Sequence, residues 1–187
     1  VVTPDNGTLS HVADRIGLLE VRSINVEDNR LAGSQQSYTF FGRDVYSYTG
    51  ARLASAVVEF EHLGPVLPKI VKLKIERARL EGKTLIGSID IHDSRYGSLW
   101  TNIGNEFLEQ LGVGWGDQLQ VLITKDGRIV YGYHLRLCKA FTDVQKGEPL
   151  IYVNSLLKLA VAVNQGSFAS TYQIGTGEGW KITFSVV

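Results

Sequence analysis

The chain contains no methionine and a single cysteine, Cys138. One thiol cannot close an internal disulfide, so the fold must rely on its core, as expected for a reducing compartment. Cys138 lies in the alternating run Leu135-Arg136-Leu137-Cys138-Lys139, where a small buried thiol is expected in place of a redox or metal role. An excess of one charge is missing too: Lys plus Arg and Asp plus Glu each total 19. With no net field, neither nucleic acid nor an anionic membrane surface is an expected partner. Long apolar runs are also absent. Ile151–Val153 and Leu159–Val163 fall far short of the roughly 20 residues that a membrane-crossing helix needs. No secretory leader pattern opens the chain, which points to the cytoplasm. His11, His62, His92 and His134 stand on unrelated segments without paired spacing, so no metal site is expected. A phosphate-binding glycine loop, a Ser-His-Asp set and a Cys-His pair are likewise lacking.

What is present suits a well-packed globule: 187 residues, 44% of them hydrophobic. Residues 1–65 mix elements in the manner of an α/β domain. Val1-Val2-Thr3 reads as a strand running into a Pro4-Asp5-Asn6-Gly7 turn, and a second short strand is expected near Leu19–Asn25. A helix is expected over Asp44–Ser55, where Val45, Tyr48, Thr49, Arg52 and Leu53 recur at helical spacing and Asp44 suits the first turn. Because the sequence opens in a strand without an initiator methionine, it reads as the back part of a longer polypeptide. Gly64-Pro65-Val66-Leu67-Pro68 then interrupts regular structure, making residues 64–70 the expected link.

Beyond that link the period becomes two. Val71–Glu76, Leu85–Ile91, Gln118–Ile123, Ile129–Leu137, Leu150–Asn154, Lys158–Asn164 and Lys181–Val187 all read as strands. Asp126-Gly127 between two alternating runs predicts a hairpin, and Asn105–Leu111 a short helix closed by Gly112. The fold class is therefore α+β: the tail of an α/β N-terminal domain over residues 1–65, then an antiparallel β-barrel or sandwich over 66–187.

The densest chemistry lies in Asp93-Ser94-Arg95-Tyr96-Gly97-Ser98-Leu99-Trp100-Thr101-Asn102-Ile103. An acid, two aromatics, a glycine turn and several hydrogen-bonding side chains within eleven residues suit a flat, polar, charged small molecule. Two further segments accompany it, Tyr38–Tyr46 and the region from Ile151 to Ser167. Pro4-Asp5-Asn6-Gly7, Thr39-Phe40-Phe41-Gly42-Arg43-Asp44, Asp93–Ile103 and Asn154–Ala169 follow the order and spacing of one family over essentially the whole chain. The sequence resembles the S-adenosylmethionine (SAM) hydroxide adenosyltransferases, relatives of the fluorinase and chlorinase enzymes.

That resemblance implies attack of water on the ribose 5′ carbon of SAM, giving adenosine and methionine without a cofactor. It implies a homotrimer, with each active site between the N-terminal domain of one subunit and the C-terminal domain of the next. On this reading the fragment alone is expected to be inactive. Asp93 matches the acid that binds the methionine ammonium group, and Phe40, Tyr96, Trp100 and Phe141 match aromatic positions around the nucleoside. Ser98 stands where relatives often carry an adenine-binding asparagine. Ser155 matches a hydroxyl near the methionine carboxylate, and Leu156 replaces the arginine that holds it in the fluorinase. The backbone of Val163, Asn164 and Gln165 matches the strand that reads adenine.

The catalytic residues stay unassigned. Phe41 takes the place of a histidine associated with water activation, and Gly42 that of a fluorinase serine. Halogenating relatives carry tyrosine at the Phe41 position, so a SAM-dependent halogenase of the chlorinase kind stands as an alternative, as does an adenosine- or SAM-binding module without turnover. Apart from the resemblance, Asp93 is a turn aspartate, Asn154-Ser155 a strand-end turn, Phe40, Trp100 and Phe141 core residues, and Arg43 and Asp44 a structural pair.

Overall fold

A computed structural model describes residues 1–186, which divide into two compact units, residues 1–75 and 76–186. Among the described residues, no helix is long and apolar enough to cross a membrane.

The first unit is built of helices and one isolated bridge. Helix α1 spans Ser10–Ile16, a six-residue π-helical segment spans Gly42–Ser47, and α2 follows directly over Tyr48–Ala54. The expected helix thus forms, but its first turns are wound more widely. Helix α1 was not expected, and neither strand foreseen here exists; only Arg22 pairs, with Val66. Residues within the expected link are tied into this unit, since Ser23 N–H donates to Pro65 C=O (2.9 Å) and Leu67 N–H to Val21 C=O (2.8 Å). The alternating run Val71–Glu76 does not join a sheet. Its amides are taken by side chains instead: Val71 N–H donates to Asp5 Oδ1 and Leu73 N–H to Ser10 Oγ, each at 2.8 Å.

The second unit carries the sheet. Its strands are β1 Arg79–Glu81, β2 Thr84–Asp93, β3 Ser98–Gly104, β4 Gln118–Lys125, β5 Arg128–Arg136, β6 Pro149–Val153, β7 Lys158–Val163 and β8 Trp180–Val186. Helix α3, Glu106–Leu111, ends on Gly112 in the left-handed region (φ 71°), as its sequence predicts, and α4 spans Phe168–Tyr172. All pairings between these strands are antiparallel, in the order β5-β4-β8-β2-β3-β7-β6, with β1 added beside β2. A bridge between Leu137 and Ile151 joins the far ends, so the sheet curls nearly into a barrel. The β4–β5 hairpin turns at Asp126 and Gly127, both at positive φ (49° and 79°), as that dipeptide predicts. Strand β3 itself was not foreseen.

Inward positions follow the period-two rule. Leu85, Ile89, Leu99, Ile103, Leu119, Val121, Ile123, Leu159, Val161, Ile182 and Phe184 fill the interior and are all but inaccessible. Two irregularities shape the part that matters below. The β2–β3 register slips by one residue between Ile89 and Ile91, so Ile89 faces Thr101 while Ile91 faces Trp100. Such a bulge reverses the alternation of the strand. Accordingly Ile89 is buried but Ile91 is exposed. The second irregularity interrupts β3–β7 pairing between Trp100 and Gly104. There Thr101 Oγ1 donates to Leu159 C=O (2.7 Å) and accepts from Ile103 N–H (3.1 Å), replacing missing ladder bonds in a buried place.

Thr101→Val keeps the shape but orphans both backbone groups. It should cost about 1–3 kcal/mol, read as a lower urea midpoint with unchanged slope, whereas Thr101→Ser should retain most of the stability.

Candidate functional site

The bulge in β2 decides which way Asp93 points. After the slip, Asp93 pairs with Ser98 and Ile91 with Trp100, so the acid shares a face with Ser98 and Trp100 and not with the core residue Leu99. The turn between β2 and β3 is closed by Asp93 itself: its carbonyl accepts Tyr96 N–H (3.2 Å) and Gly97 N–H (2.6 Å), and its Oδ1 accepts Arg95 N–H (3.2 Å). Gly97 has φ +68°, and a Cβ there would lie 2.0 Å from Ser167 Oγ. Gly97 C=O also accepts Ala169 N–H at 3.0 Å, so α4 docks directly on this turn. Only glycine meets both requirements.

Strand β7 lies between the two strands that carry the aromatic side chains. In Leu159-Ala160-Val161-Ala162-Val163 the large side chains point inward and the two alanines point the other way. Ala160 is the ladder partner of both Trp100 on β3 and Tyr152 on β6. With only a methyl group between them, Trp100 Nε1 reaches across and donates to Tyr152 Oη at 2.9 Å. Phe141 meets Tyr152 from the other side, ring centroids 5.1 Å apart and planes tilted 55°. Phe141 is delivered by a short 3₁₀ turn, Phe141–Asp143, whose Asp143 carboxylate accepts Lys139 N–H (2.9 Å) and Ala140 N–H (3.1 Å).

These elements surround a cavity of about 800 Å³, within the range of small-molecule sites. Asp93, Tyr96, Ser98, Trp100, Phe141, Val163, Asn164 and Gln165, all singled out in the sequence, line this one cavity. Tyr152 lines it as well but was not among the expected site residues, and neither were Ser167 and Ser170. Tyr152 escaped because Ile151-Tyr152-Val153 reads as an ordinary strand; the paired alanines opposite were the available signal.

The turn after β7 is stitched down rather than open. Asn164 N–H donates to Glu148 C=O (2.9 Å), its carbonyl accepts Gly147 N–H (2.8 Å), and its Nδ2 donates to Val144 C=O (3.0 Å). Gln165, at φ 56°, is the member of the turn whose own N–H and C=O take no part in these bonds.

The remaining expected residues lie elsewhere. Ser155 and Leu156 sit in the β6–β7 turn, at the opposite end of the ladder from Val163, and do not line the cavity. That turn is ordered by Asn154, whose Oδ1 accepts Leu156 N–H (2.9 Å) and Lys158 N–H (3.1 Å) while its Nδ2 is buried without a partner. Phe40, Phe41 and Gly42 belong to the first unit. Phe40 is exposed, with the Arg43 guanidinium 4.9 Å above its ring, and Arg30 lies 4.9 Å from the Phe41 ring. Arg43 Nε bonds Asp44 Oδ1 at 2.6 Å, which holds the Asp44 carboxyl below its usual range.

Electrostatically the cavity joins a carboxylate to an aromatic wall. Among the described residues Asp93 makes no salt bridge, and Arg95, the cation that lines the same cavity, is held over the Tyr96 ring at 5.4 Å. Burial raises the Tyr152 phenol above its ordinary value, a shift opposed by the Trp100 hydrogen bond and the nearby Ser98 hydroxyl and reinforced by Asp93. The phenol is therefore neutral at physiological pH and keeps a proton to donate. Cys138 is buried beside Leu150 and Ala162, and burial raises its thiol too, leaving it a packing residue. Among the described residues, no group of three or more His, Cys, Asp or Glu side chains is placed to hold a metal ion. An acid at one end and aromatic rings along the wall suit a ligand that is cationic at one end and planar at the other.

Comparison with known proteins follows the same lines. The sequence pattern described as SAM hydroxide adenosyltransferase N-terminal domain matches residues 1–64, and that described as its C-terminal domain matches residues 87–181. A fluorinase from Actinoplanes sp. (strain N902-109) is 32% identical over 180 residues, covering 94% of this chain and 58% of the relative. An (R)-S-adenosyl-L-methionine hydrolase from Salinispora tropica is 26% identical over 185 residues, covering 98% and 65%. The crystal structure of an uncharacterized conserved protein from Thermotoga maritima superimposes with a TM-score of 0.77 at 30% identity, covering 97% of this chain and 65% of that one. The chain spans 58–60% of the length of three fluorinases that it matches.

Gly97→Ala tests how this site is built. Left-handed strain and the Ser167 collision should together cost about 1–3 kcal/mol, seen as a lower melting temperature that Ser167→Ala partly restores.

Proposed function

The chain belongs to the SAM hydroxide adenosyltransferase family, and from that membership we propose that the full-length protein hydrolyses S-adenosyl-L-methionine to adenosine and L-methionine, this chain supplying the adenine and methionine pocket. The observation that carries the reading is the meeting, in one cavity, of an unpaired carboxylate and a wall of aromatic rings. Relatives named (R)-S-adenosyl-L-methionine hydrolase support the same substrate.

In the proposed reaction a water oxygen forms a bond to ribose C5′ as the C5′–S bond breaks. The electron pair of that bond goes to sulfur, so methionine leaves as a neutral thioether and the attacking water releases one proton. Because the sulfonium is already a good leaving group, the protein's task is to hold oxygen, carbon and sulfur in line and to keep the substrate still. Asp93 binds the methionine ammonium as a charge-assisted pair. Trp100 and Phe141 hold the nucleoside by stacking, at about 1–3 kcal/mol per base, with Tyr96 closing over it. Ser98 and the turn at Val163–Gln165 meet its polar edge. No cofactor enters this scheme, and the working assembly is proposed to be a homotrimer.

A second reading is favoured by relatives named fluorinase and by Phe41, which cannot carry a proton to or from water. In it a halide takes the place of water at C5′ and the product is a 5′-halo-5′-deoxyadenosine.

Incubation of the full-length protein with SAM, followed by chromatography, should give equal amounts of adenosine and methionine. Repetition in fluoride, chloride or bromide separates the two readings by product. Calorimetric binding of adenosine with no product over hours would leave only a binding module. Asp93→Asn should cost about 1.5–3 kcal/mol of binding, or roughly ten- to hundredfold in KM for SAM, while adenosine affinity changes far less. An unchanged KM would remove Asp93 from the pocket.

A further inference from the structure

We propose that Tyr152 is a positioning residue, which fixes the plane of Trp100 and thereby sets the affinity of the cavity for a flat base; the inference rests on the adenosyl reading above. An indole has one polar atom and can only donate, and that single N–H is spent on Tyr152 Oη at 2.9 Å. Nothing stands between the two side chains, because their shared ladder neighbour is Ala160. The phenol is itself held, by the Phe141 ring 5.1 Å away on its far side. One short chain of contacts, Phe141 to Tyr152 to Trp100, thus orients two rings of the wall at once.

The same phenol reaches the polar end of the cavity. Its oxygen accepts from the indole, which leaves its own proton free. Tyr152, Ser98 and Asp93 line the same cavity, and the last two are direct ladder partners. Tyr152 therefore joins the ring that stacks to the end that takes charge. A stacking surface contributes fully only if its plane is set before the ligand arrives, since a ring that must first be ordered gives back part of the gain. Without the phenol oxygen, Trp100 retains its contacts but loses the bond that sets its tilt.

Tyr152→Phe isolates this role, because the ring stays against Phe141 and only the oxygen is lost. In full-length protein labelled with ¹⁵N-tryptophan, the indole resonance assigned to Trp100 by its absence in Trp100→Phe should shift and its proton should exchange faster with solvent. Adenosine affinity should fall about tenfold, with a matching rise in KM for SAM and kcat changed less than about threefold. In a Trp100→Phe background the same substitution should add less than about twofold, as expected if it acts through the indole. Should Tyr152→Phe be poorly folded, Ala160→Val provides the second variant: it leaves both side chains chemically unchanged but wedges them apart, and should reproduce the faster exchange and the weaker binding.

An indole exchange rate unaltered by Tyr152→Phe overturns the proposal, as does unchanged adenosine affinity, or a loss that persists in full without Trp100. Failure of the wild-type protein to bind either adenosine or SAM is a different result. It removes the adenosyl reading, while the exchange measurement still decides whether Tyr152 holds Trp100.

Discussion

One extra residue in β2 governs the whole site. A strand presents alternate side chains to opposite faces, so a slip of one residue exchanges them. Up to Ile89 the strand feeds the barrel interior; from Ile91 onward it faces the other way. Without the bulge, Asp93 would be aimed at the core, where an unpaired carboxylate is far too costly to bury. With it, the acid stands beside Ser98 and Trp100 at the mouth of a cavity. Bulges are frequent next to functional sites because they re-aim one side chain without disturbing the sheet behind it.

The aromatic wall of the cavity owes its closure to a second, simpler device. Strand β7 gives its large residues to the barrel core and its two alanines to the outer face. Larger neighbours on β3 and β6 then reach across the strand, and the tryptophan and tyrosine meet beside Ala160. A rigid barrel wall thereby carries both the charged and the aromatic parts of the proposed SAM pocket. Such a wall suits a reaction in which alignment contributes most and bond polarisation little.

Much of the barrel was legible in the sequence. The Asp126-Gly127 turn, the alternation of β4, β5, β7 and β8, and the glycine after α3 each carry a local physical cause that needs no distant partner. What escaped depends on partners. Val71–Glu76 has the right alternation for a strand, but Asp5 and Ser10 take two of its amides. Strand β3 was hidden by its polar residues: Ser98 serves the cavity, and Thr101 stands in for interrupted ladder bonds. Helix α1 gave little warning, being only seven residues long and without a side-chain cap. For the site, the family resemblance selected eight residues that line one cavity, but also Phe40, Ser155 and Leu156, which do not line it, and it passed over Tyr152. Its significance lies in what is opposite it, and a linear sequence does not display that.

The π-helical segment Gly42–Ser47 has a consequence for how the first unit tolerates change. Wider winding stores a surplus residue within the helix, and such insertions often mark functional segments. The register of the Phe40–Asp44 motif against the helix that follows is thus a matter of length as well as of composition. Removing one residue between Val45 and Ser47 would restore ordinary winding and swing the motif about 100° around the axis, turning Asp44 out of its enclosed position with the motif's own side chains chemically intact. In this part of the protein, a change of length by a single residue is the more severe lesion than most changes of side chain.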